Sequence, residues 1–160
     1  MLRFASAPRR SPAGLLAVVA LAVASCSEED EGGFSPVVSD PLSKVEFLRQ
    51  ADEICFSTES RIEAAADDLL TAKGDPDPAE VEEAAIGIVV PALEAEVSAI
   101  GALGAPEGDE DVVQAILYAT QAGIEEIEAD PEGLLDGVPD SLRKAEELAR
   151  RYGSGTCGIR

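Results

Sequence analysis

The side chains of this 160-residue chain that could carry chemistry are its carboxylates and its cysteines: 32 Asp and Glu, three Cys and no His. Without His, the commonest general base near neutral pH is missing. No Ser stands in a nucleophile-elbow pattern, and no glycine-rich loop is built to cradle a phosphate. Carboxylate pairs abound on helix surfaces, where their abundance singles out no acid–base couple. The sequence names no catalytic residue and points away from an enzyme.

The acids are spread unevenly. Between Gly74 and Leu142 there is no Lys or Arg. Asp77, Glu80, Glu82 and Glu83, and again Asp109, Glu110 and Asp111, fall at expected helix N-termini, where the macrodipole favours negative charge. Glu125, Glu126, Glu128, Asp130 and Glu132 crowd a helix C-terminus instead, and Glu125 and Glu128 are like charges at helical neighbour spacing. Three readings fit that cluster: a solvated acidic face, a surface for a basic envelope protein, or a hard divalent cation held by Glu125, Glu128 and Glu132. No EF-hand loop supports the last, since Asp75-Pro76-Asp77 lacks the required glycine and terminal Glu.

The cysteines carry more information. Cys26 closes the run Gly14-Leu-Leu-Ala-Val-Val-Ala-Leu-Ala-Val-Ala-Ser-Cys26, preceded by Arg3, Arg9 and Arg10. A spanning helix needs roughly 20 apolar residues, so the apolar stretch Gly14–Ala24 reads as a signal segment. Val23-Ala24-Ser25-Cys26 resembles a bacterial lipobox. That resemblance implies removal of residues 1–25, a diacylglycerol and acyl chains on the Cys26 thiol, and no other cofactor. It places the protein on the extracytoplasmic face of the cell membrane, held by its lipid. Ser11-Pro12 follows Arg9-Arg10 where a twin-arginine signal needs a hydrophobic pair, so Sec export is expected.

Lipidation of Cys26 leaves Cys55 and Cys157 as an even pair, and an oxidising compartment lets them form a disulfide. A redox dithiol is the competing role, but the Cys-x-x-Cys spacing is absent. Beyond residue 25 the chain keeps 9 basic and 32 acidic residues, a formal charge of −23. That balance excludes nucleic acid as a partner and argues against docking on anionic lipid through the protein surface.

The remaining elements follow from periodicity and punctuation. Residues 26–40 carry the lipidated cysteine and a Gly- and acid-rich tether. The box Ser43-Lys44-Val45-Glu46 starts helix 1, which is expected to run to about Ala72 with Leu48, Ala51, Cys55, Thr58, Ile62, Ala65 and Leu69 as its buried seam. Asp77-Pro78-Ala79-Glu80 starts helix 2, expected to end at Leu103-Gly104 and to kink between Gly87 and Pro91, because Pro91 offers no N–H to the Gly87 carbonyl. A kink among Ile86, Ile88, Val89, Val90 and Leu93 would frame a small pocket or follow a curved core. Helix 3 is expected over Glu110–Ala129, a loop with one helical turn over Glu132–Pro139, and helix 4 over Asp140–Tyr152 with Gly153 as its stop. Residues 41–160 thus read as an all-α, antiparallel up-down four-helix bundle with a kinked helix 2. The disulfide would tie the C-terminal tail to helix 1.

Ala51-Asp52-Glu53-Ile54-Cys55, Val90-Pro91-Ala92-Leu93, Leu103-Gly104-Ala105-Pro106-Glu107-Gly108-Asp109-Glu110 and the closing Tyr152-Gly153-…-Cys157-Gly158 are together similar to a family of small exported helical proteins from actinobacteria. The resemblance covers about Phe47 to Gly158 and supports the helical fold and the cysteine pair. It implies no activity. The functional expectation is a lipid-anchored, non-catalytic interaction module of the cell envelope, with a lipoprotein binding a small ligand or divalent cation as the alternative. A sizeable, partly open apolar cavity beside Pro91 would favour the ligand, and a packed core with one continuous exposed patch would favour the partner.

Overall fold

A computed structural model describes residues 41–71 and 76–157 of the chain. These form four helices: α1 (Lys44–Thr71), α2 (Pro78–Leu103), α3 (Glu110–Ala129) and α4 (Asp140–Tyr152). A 3₁₀ turn, Pro131–Leu135, lies between α3 and α4, and no strand occurs among the described residues. Cys26 and the tether lie outside them.

The ends of the helices follow from their capping residues. Ser43 accepts the Glu46 N–H at 3.3 Å, and both Glu46 oxygens are engaged by Arg49 and Gln50 at 2.6–3.1 Å. Those charge-assisted bonds hold the Glu46 carboxyl down at about 2. Asp77 caps α2 by accepting the Ala79 N–H at 2.9 Å, while Glu80 reaches back to the Asp77 N–H at 3.5 Å. α4 stops at Gly153, whose φ of +118° sends the chain off in the left-handed region, and Ala149 accepts the N–H groups of both Gly153 and Ser154.

α2 departs from a regular ladder over Ala85–Val89, where it widens into a π-helical turn. The Val90 N–H donates to the carbonyl of Ala85, five residues back. Pro91 follows immediately. A proline removes one donor and pushes its ring at the carbonyl four residues earlier, and a turn with one extra residue gives the backbone room for that ring. Ile86 and Ile88, expected with the buried face of this helix, are 44% and 38% exposed instead. Val89, Val90, Ala92 and Leu93 face inward beyond the wider turn.

Two clusters of buried side chains hold the helices together. The first gathers Phe47, Ala51 and Cys55 of α1 with Ile100, Val113 and Tyr152. The second gathers Ala85, Val89, Val90 and Leu93 of α2 with Ile124, Ile127 and Leu142, and Ile62 of α1 packs against it. They lie toward opposite ends of α1. α3 and α4 approach closely at Gly123, where a Cβ would stand 2.4 Å from Leu142 Cγ and 3.1 Å from its backbone nitrogen. Only glycine fits there. The α4 seam read from the sequence, Leu142, Ala145, Ala149 and Tyr152, is buried along its whole length.

Cys55 and Cys157 are bonded, with 5.0 Å between their Cα atoms across a separation of 102 residues. Cys55 is 1% exposed, as its place on the α1 seam requires. Asp52, one turn earlier, is the anchor of the tail that brings Cys157 in. Its carboxylate accepts the Ser154 hydroxyl at 2.6 Å and the N–H groups of Gly155 and Thr156 at 3.2 Å, while Ser154 Oγ accepts the Cys157 N–H at 2.9 Å. Beside this clasp, Tyr152 packs edge-on against Phe47 and donates its hydroxyl to Asp109 at 2.9 Å. Lys44 Nζ sits 3.9 Å above the Tyr152 ring and 3.7 Å from Asp109. Burial, then the hydrogen bond to Asp109 and that residue's charge, push the Tyr152 phenol well above its ordinary pKa.

Candidate functional site

The second cluster does not close. Next to it lies a partly open cavity of about 390 Å³, walled by α1 from Glu59 to Leu69, by the first turns of α2, by Ile127 of α3 and by the segment Leu134–Pro139. It falls within the roughly 300–1,000 Å³ of small-molecule pockets.

Local sequence explains the space. On the α1 wall the seam residue Ala65 and its exposed neighbour Ala66 carry a single methyl each, and Ala84 and Ala85 line the cavity from α2. Four small side chains meet where four Leu or Ile would fill the gap. The far wall is built from larger apolar groups, Val89, Ile127, Leu134 and Val138, which shape the cavity without occupying it. Leu135 is 49% exposed yet lines the opening, and the 3₁₀ turn that carries it is set by Pro131, with the Gly133 N–H bonded to the Asp130 carbonyl at 3.1 Å. Polarity enters through α1. Glu59 and Glu63 line the cavity, four residues apart and therefore on one helix face. Glu59 is half-buried, with its Oε1 shielded from solvent. Behind it, Glu96 of α2 is held above the usual carboxylate range, chiefly by burial. A hydrogen bond from Thr58 opposes that shift and the charge of Glu59 adds to it.

The sequence left two readings of the Gly87–Pro91 kink open, a small pocket or a helix that follows a curved core. The cavity lies one turn away, along the inward residues Val81, Ala84, Ala85 and Val89, while Gly87 and Pro91 face solvent. The π turn accounts for the offset. Glu59 and Glu63 were not foreseen as site residues, because nothing in α1 alone distinguishes them from its other surface acids.

The acids proposed for a cation are placed differently. Glu125, Glu128 and Glu132 are all exposed, and among the described residues no three His, Cys, Asp or Glu side chains converge to hold a metal ion. Glu126, read as lacking a structural role, has one: it accepts the Ser141 hydroxyl at 2.5 Å and so links the end of α3 to the start of α4. Cys55 and Cys157 are joined in the disulfide, one turn of α1 before Glu59, the first residue of the cavity wall. No protein family, curated protein or solved structure matches the chain.

Proposed function

We propose that this protein is held by a lipid on Cys26 at the extracytoplasmic face of the cell membrane and binds a small apolar ligand in the cavity between α1, α2, α3 and residues 134–139. The cavity carries the reading: about 390 Å³ of partly open, apolar-walled space in a chain otherwise short of chemistry. Its lining has no nucleophile beside a base, so the role is binding and not catalysis. In this reading the helices form an antiparallel up-down bundle, with α2 kinked at its π turn. The disulfide and the Asp52 clasp fix one end, leaving the other to open and close around a ligand.

The test is a fluorescence titration of the full chain with N-phenyl-1-naphthylamine, a neutral apolar probe. A saturable enhancement with one site per chain is expected. It should be lost in Ala66→Trp, because Ala66 opens into the cavity and an indole there fills it without displacing a buried neighbour. Unsaturable binding, or binding equal in the variant, would contradict the reading. The anchor is tested separately by mass spectrometry of Cys26→Ala against wild type, with a lipid-sized difference beyond the substitution expected.

A second reading, an interaction module of the envelope with a basic protein as its partner, has Phe56 and Tyr118 in its favour, 64% and 67% exposed on α1 and α3. Cross-linking on intact cells through those two positions separates it from the first, because a small ligand leaves both faces uncovered.

A further inference from the structure

Resting on the lipid anchor of the proposed function and not on its cavity, we infer that the outward side of α2, around its π turn, lies against the bilayer that holds Cys26. α2 contains an apolar window of 18 residues of which only 28% is buried. A helix of that composition in a soluble domain is ordinarily covered on most of its sides. Here Val89, Val90, Ala92 and Leu93 face the core, while Ile86, Gly87, Ile88 and Pro91 face out. Among the six exposed large apolar side chains of the described residues, Ile86 and Ile88 are the pair that share one turn. No charge interrupts them. From Ala84 to Leu93, about 15 Å of helix, there is neither acid nor base, and Glu83 and Glu94 bound the stretch.

The chain that precedes the helices says what covers this side. From Cys26 to Pro41 it can span at most about 50 Å, more than the roughly 39 Å length of α2. A tether of that reach lets the domain settle on the bilayer with any side down, so the surfaces decide. α1 turns Glu53, Glu63 and Asp67 outward, and the end of α3 turns out Glu125 and Glu128. Those sides keep their hydration and are repelled by anionic headgroups. α4 turns out Arg143, Arg150 and Arg151, whose charges are met by Asp140, Glu146 and Glu147. The uncharged stretch of α2 is different. Laying it on lipid takes Ile86 and Ile88 out of water and desolvates no ion.

The experiment reads depth from a single tryptophan, since the chain has none of its own. The lipid-bearing full chain is purified from membranes as Ile88→Trp, as Ile86→Trp and, for comparison, as Lys144→Trp on α4, whose backbone does not approach that of α2. Each is reconstituted into phosphatidylcholine vesicles with and without bromine on the upper acyl chain, and again with equal parts of phosphatidylglycerol. The two α2 variants are expected to lose about half of their fluorescence or more to brominated lipid, as side chains at the acyl boundary do, and Lys144→Trp is expected to keep its own. Adding Gly87→Glu to Ile88→Trp sets a charge in the middle of the patch, where a Cβ meets nothing within 4 Å, so the fold is kept and the quenching should fall to that of Lys144→Trp. Quenching no greater on α2 than on α4, in either lipid, or indifferent to Gly87→Glu, would overturn the inference and leave the anchor standing. A blue-shifted Ile88→Trp spectrum without quenching would overturn it too, in favour of a second copy of the chain on this side. Chains that fail to float with the vesicles would strike the anchor itself, and the inference with it.

Discussion

The two ends of α1 belong to different kinds of structure. Around Phe47, Ala51 and Cys55, every element that arrives is tied down: a disulfide, an aspartate that gathers the tail through three donors, and a tyrosine held between a ring, a carboxylate and a lysine. Around Ile62, Ala65 and Leu69, the same helix faces alanines, a π turn and an open apolar space. Both stretches keep the seam spacing. What differs is what comes to meet them. At the first end large side chains and polar anchors interlock, and at the second small residues hold the walls apart. A binding site needs one region firm enough to hold its walls in register and another free to admit a guest, and on the proposed ligand reading the two stretches of α1 would divide those tasks.

The largest test of that contrast is removal of the disulfide. Closing a loop of about 100 residues is worth roughly 4–5 kcal/mol in the chain-entropy model. Cys55→Ala with Cys157→Ala should lower the unfolding free energy measured by urea titration by most of that amount, and an unchanged free energy would mean that the tight end does not depend on its covalent tie. Gly123→Ala comes next. Its methyl would press on Leu142 Cγ and backbone, at an expected cost of about 1–3 kcal/mol despite alanine's better helix propensity. An undiminished melting temperature would show that α3 and α4 can separate without penalty.

Asp52→Ala removes the acceptor for three donors of the tail, in a partly exposed setting where water replaces some of what is lost. About 1–2 kcal/mol is expected, together with faster reduction of the disulfide by thiols. A reduction rate equal to wild type would detach the clasp from the bond it adjoins.

The smallest effect lies near the open end and has the opposite sign. Glu96 has its folded-state pKa raised, so its stabilising contribution is complete below the ordinary carboxylate pKa and is lost as pH climbs through the raised value. Glu96→Gln removes a charge that the fold disfavours. Its melting temperature should exceed that of wild type by about 2–4 °C at pH 7 and match it near pH 4. A variant less stable at both values would mean that the carboxylate is needed and not merely tolerated.

How much of this was readable in advance depends on how local the cause is. The helices, the Asp77 cap, the Gly153 stop and the α4 seam follow from a few neighbouring residues, and each stands where the sequence places it. The cysteine pair was legible by elimination, given the lipobox resemblance. Asp52 was not: in sequence it is one acid among 32, and only the returning tail makes it an anchor. Asp109 was assigned to the dipole of α3, at whose N-cap it stands, and it is also the partner of Tyr152, 43 residues away. Pro91 signalled a disturbance in α2, but whether a helix answers a proline by bending, breaking or widening is decided by its packing. Here it widens, and the inward face moves with it. The cavity arises where alanines from two helices face one another, and neither helix displays that alone.

The most direct measurement is a map of amide chemical shifts in the ¹⁵N-labelled full chain as the neutral probe is added. Shifts are expected to concentrate at Ile62, Leu69, Val81, Val89, Ile127 and Leu134, with Phe47, Cys55 and Tyr152 unmoved. Shifts centred on those last three residues, or none at all at saturating probe, would contradict it.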